Sequence, residues 1–299
     1  MCYHLRMDLQ KYLLERKKLV DTRLERLLPQ NGTPPSLIHR AMRYSLMIGG
    51  KRIRPVLTLA ACEAVGGDWR KALDAACAIE LIHTYSLIHD DLPCMDNDDF
   101  RRGKPTSHKV FGEAAAVLAG DALLTFSFEI VAASKTIPAV QKPALVSLIA
   151  RAAGSQGLIG GQVVDMESEG KKVSAKTVEY IHAHKTACLI SAAIETGAMI
   201  GGAKVKELSS LKRYGRTVGL TFQIADDILD ITGTKEKLGK GIGKDVAQKK
   251  ATYPSVYGIE RSRAILEEKT QEAVRSLGPF GAEAAPLREI AVLIARRDR

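Results

Sequence analysis

Signatures of several common protein classes are missing from this sequence. The five cysteines are scattered and form no Cys-x-x-Cys pair, which excludes a zinc finger and a disulfide framework and is typical of a reducing cytosol. There is no P-loop, no dinucleotide-binding glycine motif after a strand and no nucleophilic serine elbow, so neither a nucleotide-binding fold nor a serine hydrolase is indicated. The N-terminal segment mixes apolar with charged residues and lacks the apolar core of a signal peptide. We therefore expect a cytoplasmic protein.

Proline and strand-like patterns are scarce as well. No proline occurs between Pro143 and Pro254, which leaves 110 residues where helices can run without a breaker. Apolar residues recur there at helical spacing, and the alternating runs typical of strands are hard to find. The most apolar later stretch, residues 187–203, includes Glu195 and three glycines, which predicts a buried helix and no membrane span. The sequence predicts a single all-α domain over residues 1–299.

Basic residues exceed acidic ones. There are 44 Lys plus Arg and 34 Asp plus Glu, a formal net charge of +10. Such a surplus indicates an anionic partner, which could be a nucleic acid, a phosphate ester or an acidic membrane surface. Charge alone does not choose among them.

Two aspartate clusters stand out: residues 90–96, with Asp90, Asp91 and Asp96, and residues 226–230, with Asp226 and Asp230. The last two are four residues apart, so their carboxylates share one helical face and repel each other unless a cation lies between them. Ligand sets made only of carboxylate oxygens favour Mg²⁺ or Mn²⁺ over zinc. In the first cluster a spacing of six would separate the side chains by about 240° on an ideal helix. Pro93 predicts a distortion there that returns Asp96 towards Asp90.

Basic residues accompany these clusters in several places. A Gly49-Gly50 pair ends one predicted helix, and Pro55 suits the first turn of the next. The basic groups are Lys51, Arg54, Arg101, Arg102, Lys185 and, in a predicted basic loop over residues 234–253, Lys240 and Lys250. Together with carboxylate-held metal they indicate a ligand with several negative charges, such as a diphosphate. The aspartate clusters would repel a nucleic-acid backbone, so nucleic acid is excluded as the partner.

A competing pattern is Glu-x-x-His, which occurs at Glu80–His83 and Glu179–His182. It is typical of di-iron helical bundles, which also need inward glutamates on two further helices, here Glu129 and Glu195. This interpretation leaves both aspartate clusters without a role, so we consider it the weaker one.

In their order and spacing, the motifs resemble those of the trans-isoprenyl diphosphate synthases, among them the bacterial farnesyl and geranylgeranyl diphosphate synthases. The resemblance runs from about Leu37 to the C-terminus. The matching motifs are the two aspartate clusters, Gly49–Pro55, Gly160-Gly161-Gln162 with Asp165, His184-Lys185-Thr186, and Phe222-Gln223. It implies an all-α fold of long, mostly antiparallel helices around a deep central cavity, usually in a homodimer. It also implies the joining of an allylic diphosphate to isopentenyl diphosphate with Mg²⁺, expected as three ions and replaceable by Mn²⁺.

The resemblance also implies roles for individual residues. The metal ligands would be Asp90, Asp91, Asp96, Asp226 and Asp230. The isopentenyl diphosphate contacts would be Lys51, Arg54, His83 and Arg102. The groups around the allylic diphosphate would be Arg101, Lys185, Thr186, Gln223, Lys240 and Lys250. Those acting most directly on ionisation would be Asp90, Asp96, Asp226, Lys185, Thr186 and Gln223. Closure of the 240–250 loop would exclude water.

Product length is the finest expectation. The candidate chain-length residues are Tyr85 and Ser86: Tyr85 precedes Asp90 by five residues, about 7 Å along a helix, and Ser86 lies one residue nearer. In short-chain members of the family an aromatic residue at this position closes the tail pocket, which favours the C15 product farnesyl diphosphate. Geranyl and geranylgeranyl diphosphate remain the alternatives. A non-catalytic subunit of the same fold is a further alternative, although such subunits typically lose an aspartate motif and both are present here.

Overall fold

The computed structural model describes residues 7–232 and 250–296, and helices dominate both segments. The first half contains α1 (Leu9–Leu27), α2 (Ser36–Met47), α3 (Ile53–Ala64), α4 (Trp69–Asp90), α5 (Ser107–Phe111), α6 (Glu113–Ala133) and α7 (Lys142–Ala153). The second half contains α8 (Leu158–Ser168), α9 (Ala175–Ile181), a π-helix (His182–Ala187), α10 (Cys188–Gly201), α11 (Val205–Thr232), α12 (Tyr253–Tyr257), α13 (Ile259–Ser276) and α14 (Ala285–Arg296). The predicted all-α fold class is confirmed.

Helix α4 is a central element of the fold. It begins after Asp68, whose carboxylate caps the amide of Arg70 at 3.0 Å. Fourteen of its 22 residues are buried, because α6 covers one side and α3 and α10 cover another. Small residues also let α10 and α3 approach each other closely, since a Cβ at Gly197 of α10 would overlap the backbone of Thr58 on α3. The C-terminal end of α4 is therefore held rigidly by the core.

Helix α11 carries the second aspartate cluster towards the same region. Its first half packs apolar residues, including Leu211, Tyr214 and Val218, into a core shared with α3, α10, α13 and α14. Its second half places Ile224 and Ile228 against a smaller apolar cluster beside α9. Asp226 and Asp230 lie on this second half of the helix and are not part of the apolar clusters.

One pair of short strands departs from the helical prediction. Strands β1 (Phe100–Arg101) and β2 (Lys104–Pro105) form a two-residue antiparallel hairpin. Arg102 and Gly103 make its turn with φ of 52° and 73°. Two positive φ values are what a tight type I′ hairpin turn requires. Strands this short leave no alternating pattern in a sequence, which is why the sequence did not indicate them.

Helix α6 is apolar along most of its length. Among the described residues it is the one helix long and apolar enough to cross a membrane by those two measures. It packs instead against α4 and α2, although Val117 and Leu118 remain exposed. The predicted helix over residues 187–203 is present as α10, with 11 of its 14 residues buried.

Candidate active site

The first aspartate cluster lies where α4 ends. The helix stops at Asp90, and the following turn brings the chain back so that the amide of Asp96 donates to the carbonyl of Asp90 at 2.8 Å. The predicted return of Asp96 is confirmed, and it occurs by termination of the helix at a turn that includes Pro93. Asn97 completes the turn with a φ of 50°, a conformation that asparagine tolerates better than most residues. Burial, reinforced by the charge of Asp96, raises the pKa of Asp90 to about 6.

Asp91 has different surroundings from Asp90. Its side chain is buried, and both of its oxygens accept hydrogen bonds from the Arg101 guanidinium at 2.6–2.9 Å. This bidentate geometry gives a strong, directional ion pair. Asp91 therefore holds Arg101 in place beside Asp90, although the sequence grouped it with the metal ligands.

A cluster of arginines surrounds His83, which lies two residues before Tyr85 on the same helix. Burial and the neighbouring charges of Arg54, Arg102 and Arg101 hold the pKa of His83 well below its usual range, so the imidazole is neutral at pH 7. Burial also lowers the pKa of Arg54 to about 10. Within the described residues, the buried Nε of Arg54 has no hydrogen-bond partner. The cluster therefore has the charge and a donor for an anion.

The Gly49-Gly50 pair brings Arg102 to this cluster. Both glycines have positive φ, and Arg102 donates to the carbonyl of Gly49. Gly50 has a φ of 135°, which favours glycine, and a Cβ there would lie 2.6 Å from the guanidinium of Arg102 and displace it. Lys51 follows in the same segment and is exposed.

The third part of the site is the π-helix, which contains Lys185 and Thr186. Such a bulge often occurs at functional sites because it rotates the side chains that follow it. Lys185 Nζ contacts Asp165 Oδ2 of α8 at 2.6 Å, and its charge acts on Asp90. Gly161 of α8 allows this packing, since a Cβ there would lie 2.6 Å from Lys185 Cα. Asp165 thus positions Lys185.

The second aspartate cluster is anchored through Asp227, whose side chain is 2% exposed. Its carboxylate accepts from the Gln223 amide at 3.0 Å and from the backbone N–H of Tyr253 at 2.9 Å, and His182 Nε2 lies 3.3 Å away. Burial lowers the pKa of His182 to about 3, so this histidine is neutral. Asp226 and Asp230 flank the anchor on the same helix and are only half-buried.

Side-chain and backbone contacts link these parts to one another. Thr186 Oγ1 donates to Gln223 Oε1 at 2.8 Å, which joins the π-helix to α11. Lys250, three residues before Tyr253, places its Nζ 3.2 Å from Asp96 Oδ1 and so returns to the first aspartate cluster. These contacts connect Asp96 of the first motif with Thr186 of the π-helix through Lys250, Tyr253, Asp227 and Gln223, while Asp226 and Asp230 lie on the same helix as Asp227. Lys240 lies outside the described residues, as does most of the predicted basic loop.

Sequence reasoning left several contributors without a role. His182 entered the sequence analysis only through the di-iron pattern, yet its Nε2 lies 3.3 Å from Asp227 Oδ2. Arg52 was not selected, although it is buried beside Glu80. Nothing in the local pattern distinguishes Arg52 from its neighbours, since long-range contacts define its role. The signal for His182 was its position one helical turn before Lys185 and Thr186.

The residues of the di-iron alternative do not meet. Glu80 pairs with Arg52 at 2.8 Å, Glu179 accepts from Tyr257 at 3.1 Å, and Glu195 pairs with Lys212 at 3.0 Å. Glu129 is exposed on α6. Across residues 7–232 and 250–296, no group of three or more His, Cys, Asp or Glu side chains is arranged to hold a metal by itself.

The chain resembles solved structures of isoprenoid-forming enzymes. A geranylgeranyl pyrophosphate synthetase from Pyrococcus horikoshii superposes with a TM-score of 0.88 at 32% identity, covering 96% of this chain and 99% of that one. An FPP/GFPP synthase from Zymomonas mobilis gives 0.86 at 37% identity, with the same coverage. The fold is thus that of the all-α isoprenyl synthases.

The sequence comparisons identify the family. The polyprenyl synthetase model matches residues 35–278. A geranylgeranyl diphosphate synthase of Cyanophora paradoxa is 48% identical over 293 residues, covering 97% of both chains. A chloroplastic heterodimeric geranylgeranyl pyrophosphate synthase large subunit of Arabidopsis thaliana is 50% identical over 298 residues, covering 97% of this chain and 80% of its own. The chain belongs to the polyprenyl synthetase family and is a prenyltransferase.

Proposed function

We propose that this protein condenses isopentenyl diphosphate with allylic diphosphates and that its main product is geranylgeranyl diphosphate. The observation that carries the proposal is the set of contacts from Asp90 and Asp96 through Lys250, Asp227 and Lys185. In it, acidic and basic groups lie next to each other, as Lys250 does to Asp96 and Lys185 to Asp165. The separate arginine cluster around His83 supports a second anion site.

The donor set suits a hard divalent cation. Asp90, Asp96, Asp226 and Asp230 offer only carboxylate oxygens, the ligands that Mg²⁺ and Mn²⁺ prefer. Since the described residues hold no group of three or more metal-ligating side chains, the remaining ligands would be substrate phosphate oxygens and water. We therefore propose that metal and allylic diphosphate bind together. The bound cation would supply Lewis-acid stabilisation of the leaving diphosphate.

The chain's own groups would perform the rest. Lys185 and Arg101, fixed by Asp165 and Asp91, would bind the allylic diphosphate and stabilise the charge that develops as its C–O bond breaks. Thr186, Gln223 and Lys250 lie around the same position. The double bond of isopentenyl diphosphate would then attack the allylic cation, and the released diphosphate would accept the proton lost from the new product.

The isopentenyl diphosphate would bind at the arginine cluster. Arg54, Arg102 and Lys51 supply positive charge there, and neutral His83 adds a hydrogen-bonding group without further charge. Holding the second substrate at this cluster, beside the allylic diphosphate, would orient its double bond towards the cation.

For product length we favour C20 over the C15 product that Tyr85 suggested. The names of relatives about 48–50% identical support the longer product. Tyr85 is 4% exposed, and its ring packs edge-on against His89 at 5.7 Å between centroids. Ser86 donates to the carbonyl of His83 at 2.9 Å. We propose that Tyr85 limits the tail at C20, with Ser86 a helix residue beside it.

Chain-length analysis tests this proposal. The purified protein is incubated with isopentenyl diphosphate, Mg²⁺ and each of dimethylallyl, geranyl and farnesyl diphosphate. We expect C20 product from all three. A protein that stops at C15 and rejects farnesyl diphosphate would refute the C20 assignment, and one that releases no diphosphate would refute the function.

A pair of variants isolates Tyr85. Tyr85→Ala should shift part of the product beyond C20. Tyr85→Phe is the matched control, because the buried hydroxyl has no partner among the described residues and its loss should leave the product unchanged. Unaltered products in Tyr85→Ala would show that Tyr85 is only a packing residue.

We also propose that the enzyme is a homodimer. The exposed Val117 and Leu118 on apolar α6 support a subunit contact on that face. Light scattering after size-exclusion chromatography tests this, and a monomeric mass at micromolar concentration would refute it.

A further inference from the structure

Arg52 is buried although it lies between Lys51 and Arg54, two residues proposed to bind isopentenyl diphosphate. It is 3% exposed, whereas Lys51 is exposed and the charge of Arg54, two residues later, acts on His83. Its φ is 53°, a left-handed conformation that residues with a Cβ rarely adopt. Such a conformation persists only where surrounding contacts hold it.

Those contacts come from three helices. Nε of Arg52 donates to Asp21 Oδ1 of α1 at 2.8 Å, Nη1 donates to Glu80 Oε1 of α4 at 2.8 Å, and Nη2 donates to the Leu46 carbonyl of α2 at 2.6 Å. Lys17, one helical turn before Asp21, contacts the Asp21 carboxylate at 2.5 Å. All three nitrogens of the planar guanidinium therefore donate a hydrogen bond, which a lysine could not reproduce.

The partner that matters for function is Glu80. It is 2% exposed, and its charge also acts on Arg54. Glu80 is paired with Arg52, and within the described residues the buried Nε of Arg54 has no hydrogen-bond partner. A buried carboxylate deprived of Arg52 would need another cation, and Arg54 is close by.

We propose that Arg52 is a positioning residue that occupies Glu80 and thereby keeps Arg54 available for the diphosphate of isopentenyl diphosphate. This inference rests on the proposed function. Arg52 acts on the substrate only through Glu80 and Arg54.

The test is steady-state kinetics of Arg52→Gln with both substrates varied. We expect KM for isopentenyl diphosphate to rise about tenfold, which corresponds to about 1.4 kcal/mol, while KM for the allylic substrate changes by less than about threefold. The double variant Arg52→Gln/Glu80→Gln removes the unpaired carboxylate, so it should restore KM to within about threefold of the wild type.

Arg23→Gln is the matched control. Arg23 pairs with buried Asp74 at 2.7 Å and also joins α1 to α4, but it lies away from the arginine cluster. We expect a comparable loss of thermal stability without the selective rise in KM. An equal rise in both KM values in Arg52→Gln, or no recovery in the double variant, would overturn the proposal.

Two further measurements cover the remaining outcomes. If Arg52→Gln does not fold, Arg52→Lys replaces it, with a smaller rise in the same KM expected and no rise counting against the proposal. If the wild type transfers no prenyl group, the proposed function fails separately. Calorimetric titration with inorganic diphosphate then tests the inference about Arg52. Arg52→Gln should bind diphosphate about tenfold more weakly than Arg23→Gln does, and equal binding by the two variants would overturn the inference.

Discussion

Replacing Asp90 by asparagine should stabilise the metal-free protein at neutral pH while abolishing prenyl transfer. Burial, with the added charge of Asp96, raises the pKa of Asp90 from 3.8 to about 6. At 1.36 kcal/mol per pKa unit, ionised Asp90 therefore lowers the free energy of unfolding by about 3 kcal/mol. A raised acid pKa means that the native state binds more protons, so this loss is absent below about pH 4, grows up to about pH 6 and is constant above it.

Urea denaturation in a chelator measures this effect. Asp90→Asn lacks the ionising group, so its unfolding free energy should exceed that of the wild type by about 3 kcal/mol at pH 8 and by about half as much at pH 5. Adding Mg²⁺ should raise the stability of the wild type more than that of the variant.

Asp99→Asn is the control for this prediction. Asp99 is an exposed aspartate of the same segment that pairs with Lys109 at 2.8 Å, which lowers its pKa. Its replacement should give no gain in stability at either pH. The reasoning is refuted if Asp90→Asn is no more stable than the wild type at pH 8, or if the difference does not shrink at pH 5.

Two further substitutions test the packing around the site. Gly161→Ala should lower the unfolding free energy by about 1–3 kcal/mol and reduce turnover, because the added Cβ would collide with the backbone of Lys185. Gly32→Ala is the control, since a Cβ there meets nothing within 4 Å. Equal stability and turnover of the two variants would contradict the prediction. Tyr214→Phe should lower the free energy of unfolding, measured by heat or urea, by about 1–3 kcal/mol and leave turnover unchanged, because it removes the buried hydrogen bond of 2.6 Å to the Leu287 carbonyl. An unaltered unfolding midpoint would show that the carbonyl finds another donor.

Much of the first aspartate cluster was predictable from local rules. Helical periodicity predicted a helix leading to Asp90, and Pro93 predicted the turn that returns Asp96. The same rules treated Asp90 and Asp91 alike, because residue type and spacing do not reveal which carboxylate is paired. Only the hairpin that carries Arg101 separates them, and it is too short to leave a sequence pattern.

Product length was predicted less well. Tyr85 at its distance from Asp90 favoured C15, whereas the relatives favour C20. The sequence fixes the distance of Tyr85 from Asp90 along α4, because the rise per residue of a helix is constant. Whether it limits the tail depends on the neighbouring helices, which local spacing does not specify.

The amino-acid sequence by itself determined the helical class, the two aspartate clusters and the surplus of basic residues that points to a diphosphate ligand. These properties follow from residue type and from periodicity between residues that are near one another in the sequence. The tertiary structure alone decided which charges remain available: Asp91 is held by Arg101, Asp227 by Gln223 and Tyr253, and Glu80 by Arg52. Burial and pairing set the pKa and reach of each group, and both arise only when residues distant in the sequence pack together.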